Sequence, residues 1–233
     1  MNPSYEPMSP FRRESSRRRR QTRRRRRVRA ALAGLLAVLT LAVGVLLWQR
    51  FRPLPGEGVV VPEDVTEDLL PVNRFSRPGL PLEEINGVVI HYVGNPATTA
   101  EANRNYFASL ASGKENVFAS SHFIVGLEGE VLQCVPLTEI AYASKDRNGD
   151  TVAIEVCHPD ETGEFSRETY ERVVELTAWL CHAFQLNPET EVIRHYDVTG
   201  KICPRYYVEH PEAWEQFLAD TEAALEALNQ QDG

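Results

Sequence analysis

From about residue 82 onward the hydrophobic positions follow two periods in turn, first two and then about three and a half. Residues 87–92 are β-branched and predict a strand. Residues 99–110 space Ala102, Tyr106 and Leu110 four apart, which predicts a helix with these three on its inner face. Residues 121–126 and 130–135 read as a hairpin across Leu127-Glu128-Gly129. Residues 151–157 alternate Val152, Ile154 and Val156 with Ala153, Glu155 and Cys157, another strand. Ser166 is placed to N-cap a long helix that reaches Phe184 and stops at Asn187-Pro188. Residues 192–195 form a short strand. Pro211 opens a last amphipathic helix whose Trp214, Phe217 and Leu218 face inward. The order β-α-β-β-β-α-β-α predicts an α/β fold, a mixed central β-sheet flanked by helices.

Ahead of this periodic part lies a run of another kind. Residues 30–48 carry no charge and are mostly Leu, Ala and Val, enough for a helix to cross ~30 Å of hydrocarbon. Charge divides around it. Residues 1–52 hold fourteen Arg and two Glu, a net of +12, whereas the remainder holds eleven basic and thirty-one acidic residues, a net of −20. The positive-inside rule then sets the N-terminus in the cytoplasm and the acidic part outside, as in a single-pass bacterial cell-membrane protein. No small-x-small site and no Cys follows the run, so it reads as an uncleaved anchor rather than a signal peptide or lipoprotein leader. The resulting organisation is a basic cytoplasmic tail (1–29), a transmembrane signal anchor (30–49), an extracytoplasmic linker (50–81) rich in Pro, Gly and acid, and a folded domain (82–229). Beside a membrane helix, the arginines suit topology and anionic lipid, so no nucleic-acid partner is expected.

The candidate chemistry is concentrated in residues 195–204, His-Tyr-Asp-Val-Thr-Gly-Lys-Ile-Cys-Pro. A loop folded back at Gly200 can bring an imidazole (His195) and a thiol (Cys203) onto one Zn2+. A third ligand must come from elsewhere, and His91, near the end of a strand, is the best candidate. The opposing reading makes Cys203 a small apolar filler. Glu155 lies between Ile154 and Val156 in a strand that otherwise looks central. It either faces solvent from an edge strand or serves as a general base in a wet cleft. With Cys203 given to a metal, Cys134, Cys157 and Cys181 remain; Cys157 and Cys181 lie in apolar runs and read as buried free thiols.

Four pieces in this order, Val-Ile-His-Tyr (89–92), Ser-Ser-His-Phe-Ile-Val (120–125), Val-Ala-Ile-Glu-Val-Cys (152–157) and His-Tyr-Asp-Val-Thr-Gly-Lys-Ile-Cys-Pro-Arg (195–205), resemble the type-2 N-acetylmuramoyl-L-alanine amidases. Those enzymes share a fold with phage amidase lysins and peptidoglycan recognition proteins. The resemblance runs from about residue 85 to 207. It implies one Zn2+ per chain held by His91, His195 and Cys203, with Glu155 as the acid that takes a proton from water. It implies Lys201 as the cation beside the developing oxyanion. The implied substrate is the peptidoglycan amide joining the lactyl group of N-acetylmuramic acid to L-Ala, with Ser121, His122 and Tyr142 on the substrate side. Ser121 stands where some relatives use a Tyr, and Tyr142-Ala143 where many have Trp-His. His158 is expected at the rim. A second expectation is a non-catalytic, membrane-anchored peptidoglycan-binding module; relatives of that kind typically lack the Cys that this chain retains. A closed structural zinc site would need a fourth protein ligand, and none is evident.

Overall fold

The computed structural model describes residues 10–231 of the chain. They fall into two compact units, divided between Pro53 and Leu54. Among the described residues the first holds one helix, α1 (Pro10–Phe51). By length and composition its stretch from Arg18 to Trp48 suits a membrane crossing.

The second unit is built on six strands in the order β1-β4-β3-β5-β2-β6, with β1 (Val65–Glu67), β2 (Val88–Tyr92), β3 (Phe123–Val125), β4 (Val131–Gln133), β5 (Val152–Val156) and β6 (Val192–Arg194). Only β3 and β4 pair antiparallel, across the expected hairpin; the other neighbours run parallel. The helices are α2 (Ala100–Ser109), α3 (Arg167–Phe184), α4 (Pro188–Glu191), α5 (His195–Thr199), α6 (Arg205–Glu209) and α7 (Pro211–Gln231). This is the mixed sheet flanked by helices that the pattern predicted.

The period of two decides what each face of the sheet carries. Val88, Ile90, Val152, Ile154 and Val156 join Phe123 and Val125 in one core beneath α3 and α7, which supply Val173, Leu176, Leu180, Trp214 and Phe217. Ile124, Cys134 and Cys157 join Leu70 and residues of α2 in a smaller cluster on the other face. Helix α3 starts as expected, with Ser166 Oγ accepting from the Thr169 amide at 3.2 Å. It ends at Gln185, in the left-handed conformation.

Three expectations change. Residues 50–81 are not a linker throughout, because from residue 54 the chain belongs to the folded unit. Within that segment β1 adds an edge strand beside β4, Leu70 is 0% exposed, and Arg77 makes a bidentate pair with Glu139 at 2.7 and 2.8 Å. Such a segment shows no period because single anchors hold it rather than a repeating face. In α2 the buried residues are Ala100 and Phe107, followed by Leu110, while Tyr106 is 45% exposed. The helix is rotated from the predicted face because Phe107 fills the cluster around Leu70. Finally, the predicted strand ending at His195 stops at Arg194, and His195 begins α5.

Candidate metal centre

Val88 and Ile90 send their side chains into the larger core, so His91 leaves the opposite face near the C-terminal end of β2. Its register partner on the parallel strand β5 is Glu155. The C-terminal edge of parallel strands is where α/β folds place ligands. On the other side of β2, strand β6 delivers His195 into α5. That turn is braced by Arg194, whose guanidinium grips Asp197 at 2.8 and 3.1 Å and lies over the rings of Tyr196 and Trp214. Asp197 in turn accepts the Arg194 amide at 2.9 Å. Gly200 closes α5 at φ 75°, a conformation that favours glycine, and turns the chain back. The Tyr196 amide then donates to the Cys203 carbonyl at 2.9 Å, which holds the two ends of the loop together.

The side chains converge. His91, His195 and Cys203 are buried, and their ligand atoms lie within 4.8 Å of one another. Cys203 Sγ is 4.0 Å from His91 Nδ1, and the two imidazole rings stand 4.6 Å apart, tilted by 53°. Glu155 Oε1 is 3.9 Å from His91 Nδ1. Both ring nitrogens of His195 and Oε2 of Glu155 are shielded from solvent without a hydrogen-bond partner. Orphaned buried polar atoms are costly, and a cation at their centre satisfies them. Two imidazoles and a thiol are the donor set zinc favours, and tetrahedral bonds of 2.0–2.3 Å need donors roughly 3.5 Å apart. The group fits that ion after small side-chain shifts.

Electrostatics point the same way. Burial, then the charges of His195 and Lys201, hold His91 well below the usual imidazole range. Burial, then Lys201 and Lys145, bring His195 down to about 4. Both are therefore neutral donors at pH 7. Burial pushes the Cys203 thiol up to about 12, and a bound cation reverses that direction by stabilising the thiolate. Burial also raises Glu155 to about 8, against a smaller lowering by Lys201. Lys201 thus acts electrostatically on all four groups.

A cleft of about 580 Å³ opens beside His195, lined by Tyr142, Lys145, Asn148, Gly200 and Lys201 among others. Tyr142, expected on the substrate side, lies there. Ser121 and His122 do not. Ser121 is 0% exposed and its hydroxyl donates to the Phe123 carbonyl at 2.8 Å. His122 is 1% exposed; its Nδ1 accepts the Ala153 amide at 3.0 Å and its Nε2–H donates to the Glu139 carbonyl at 2.9 Å. Both belong to the interior because the segment leading into β3 runs beside β5, where the His122 amide donates to the Ala153 carbonyl and the His122 ring meets Glu139. His158 is likewise buried rather than at the rim, stacked 5.0 Å from Tyr92.

Two residues that sequence reasoning passed over join the site. Ser144 is buried, and its Oγ lies 3.2 Å from His91 Nε2. With Nδ1 turned to Cys203, Nε2–H donates to that hydroxyl and fixes the ring. Lys145 follows it into the cleft. Neither lies in a periodic segment, and a serine 53 positions from its histidine carries no local signal.

The mixed sheet flanked by helices is a fold shared with solved lysin structures. The chain aligns with a solved mutant endolysin from Bacillus subtilis at a TM-score of 0.57 and 23% identity, over 67% of this chain and 97% of that one. It aligns with the catalytic domain of XlyA at 0.56 and 24%, over 67% and 98%. The sequence goes further. Residues 81–206, over half of the chain, match the N-acetylmuramoyl-L-alanine amidase family, and the chain belongs to that family. It is 31% identical over 180 residues to the N-acetylmuramoyl-L-alanine amidase BlyA of Bacillus subtilis, a match spanning 69% of this chain and 47% of the relative. The chain thus spans about half the length of the curated relatives it matches.

Proposed function

We propose that this chain hydrolyses the amide between the lactyl group of N-acetylmuramic acid and L-Ala in peptidoglycan, with zinc held by His91, His195 and Cys203. The carrying observation is the pairing of that ligand set with Glu155, whose half-buried carboxylate faces His91 at 3.9 Å with one oxygen shielded and unpartnered. Family membership supports the reaction class. When bound, zinc supplies a Lewis acid that polarises the substrate carbonyl and lowers the pKa of water.

The chain's own groups have distinct tasks. Ser144 and the Arg194–Asp197 brace hold the two imidazoles in place. Glu155 takes a proton from the attacking water as its oxygen bonds to the carbonyl carbon. The carbonyl electron pair moves onto oxygen, and Lys201 stabilises that negative charge. When the tetrahedral carbon expels the amine, Glu155 returns the proton to nitrogen and the C–N bond breaks. A free L-Ala amino terminus and a muramic acid carboxylate result.

Helix α1 would anchor the domain, its Arg-rich end cytoplasmic and residues 54–233 facing the wall. Protease added to intact protoplasts should then remove the domain and spare the arginines; a protected domain reverses the topology.

The decisive experiment compares the parent with Glu155→Gln and Lys201→Met, measuring zinc stoichiometry beside release of L-Ala amino termini from purified walls. Glu155→Gln should keep the metal and lose about 10²–10⁴ in turnover. Lys201→Met should also slow turnover with the metal retained. A parent that binds muramyl peptide and cuts nothing establishes the binding-module alternative. A fully active Glu155→Gln overturns the role of Glu155.

A further inference from the structure

Residues 53–233 carry eleven Lys and Arg against thirty-one Asp and Glu, so cations there should be taken up by carboxylates. Six of them are. Arg77, Arg104, Arg147, Arg167, Arg172 and Arg194 each form an ion pair. The lysines behave differently. There are three, Lys114, Lys145 and Lys201, and two of them line the cleft that opens beside His195. No Asp or Glu lines that cleft, and among the described residues neither ammonium has a carboxylate within ion-pair distance. An acid-free, doubly cationic recess in so acidic a domain is arranged for an anion.

Lys145 is also held in place. Its φ is 48°, a left-handed conformation uncommon for a residue with a Cβ. The loop sustains it because Asn148 Oδ1 accepts the amides of Ala143 and Ser144 at 3.0 and 2.6 Å. Beyond it, Thr151 Oγ1 donates to the Arg147 carbonyl at 2.6 Å, and Arg147 pairs with Asp150 at 2.8 Å. The neighbouring Ser144 reaches His91, so the backbone carrying Lys145 is tied to the metal centre. Uncommon backbone held by this much bracing is a mark of function. In the same cleft, Tyr142 meets Phe118 edge to face at 5.5 Å, an apolar wall for a peptide chain.

We infer that Lys145 is a specificity residue that binds a free carboxylate on the stem peptide beyond the scissile amide, so that the site favours acidic stems over their carboxamide forms. This rests on the amidase reading for the identity of the peptide. Lys201 serves the reacting carbonyl, and Lys145, lining the same cleft, serves the chain that leaves.

The test uses the full chain in detergent, zinc-loaded, with two synthetic muramyl tripeptides amidated at the C-terminus and neutral at the third residue. They differ only in bearing a carboxylate or a carboxamide on the α-carbon of the second residue. Affinity is read by calorimetry and L-Ala release separately. The parent should bind the carboxylate peptide about fivefold tighter at low salt, the size of one partly exposed ion pair, and the margin should shrink at 0.5 M salt, a concentration of order the one that collapses the Debye length. The difference should fall in KM rather than kcat. Lys145→Met should bring the ratio to about one, and Lys145→Arg should restore it. Equal affinity in the parent, or an equal loss on both peptides in Lys145→Met, overturns the inference. Selective binding without L-Ala release would retire the amidase reading and leave this one standing; cleavage of both peptides with equal affinity would do the reverse.

Discussion

His91 and Glu155 are register partners on two adjacent parallel strands, and their side chains leave the same face of the sheet with Nδ1 and Oε1 3.9 Å apart. Their spacing is set by the backbone ladder rather than by loops. Strands β2 and β5 are central in the sheet, so neither residue can move without disturbing a core that includes Ile90, Ile154 and Val156. The proposed ligand and base are thereby preorganised. The other two proposed ligands ride on one hairpin-like loop whose closure depends on Gly200 and the Tyr196–Cys203 hydrogen bond.

Cys203→Ser should abolish most zinc binding, because a neutral hydroxyl replaces a thiolate donor. Metal content after dialysis, beside a parent holding one ion per chain, checks this. Full occupancy in the variant would reduce Cys203 to packing.

Ser144→Ala should weaken zinc affinity by about 10- to 100-fold, the usual cost of removing a group that orients a ligating histidine. It leaves all three donors in place. A chelator competition titration measures it, and an unchanged affinity would show that the Ser144–His91 contact holds nothing.

The folded unit should need residues from 54 onward. Beginning the chain at residue 82 removes β1, the buried Leu70 and the Arg77–Glu139 pair. Leu70→Ala alone should cost about 2–5 kcal/mol by leaving a cavity among Phe107, Ile124 and Cys134. Denaturant midpoints of residues 54–233, residues 82–233 and the point variant decide it. Equal midpoints would make 54–81 a linker after all.

Burial lowers His122 to about 4, against the ordinary 6.5 of an unfolded chain. The folded state then binds fewer protons than the unfolded one between those values. Stability from this group is present above pH 6.5 and is lost as the pH falls through 4, by up to about 3 kcal/mol. The stability gap between the parent and His122→Gln, measured by denaturant titration at pH 7, 5.5 and 4.5, should narrow as the pH falls. A constant gap would mean that His122 keeps the same charge on unfolding.

What the sequence by itself determined is what local pattern can encode. Alternation in 151–157 put Glu155 on the face opposite Val152, Ile154 and Val156, because successive residues of a strand face opposite ways. Gly200 between His195 and Cys203 marked a chain reversal, since a left-handed turn suits a residue without a Cβ. The long apolar run and its arginines marked a helix able to cross a membrane. Tertiary structure decided what depends on strands far apart in the chain becoming neighbours. Pairing β2 with β5 and β6 set the distances among His91, Glu155 and His195. Docking β1 beside β4 drew an aperiodic segment into the fold. The cover of loop 136–144 turned Ser121 and His122 inward, and the same part of the chain brought Ser144 to His91 and Lys145 to the cleft. These contacts span tens of residues, as with His91 and Ser144, 53 positions apart. A window of ten or twenty residues holds no trace of them, because the period of a segment reports which face it buries and not what it is buried against.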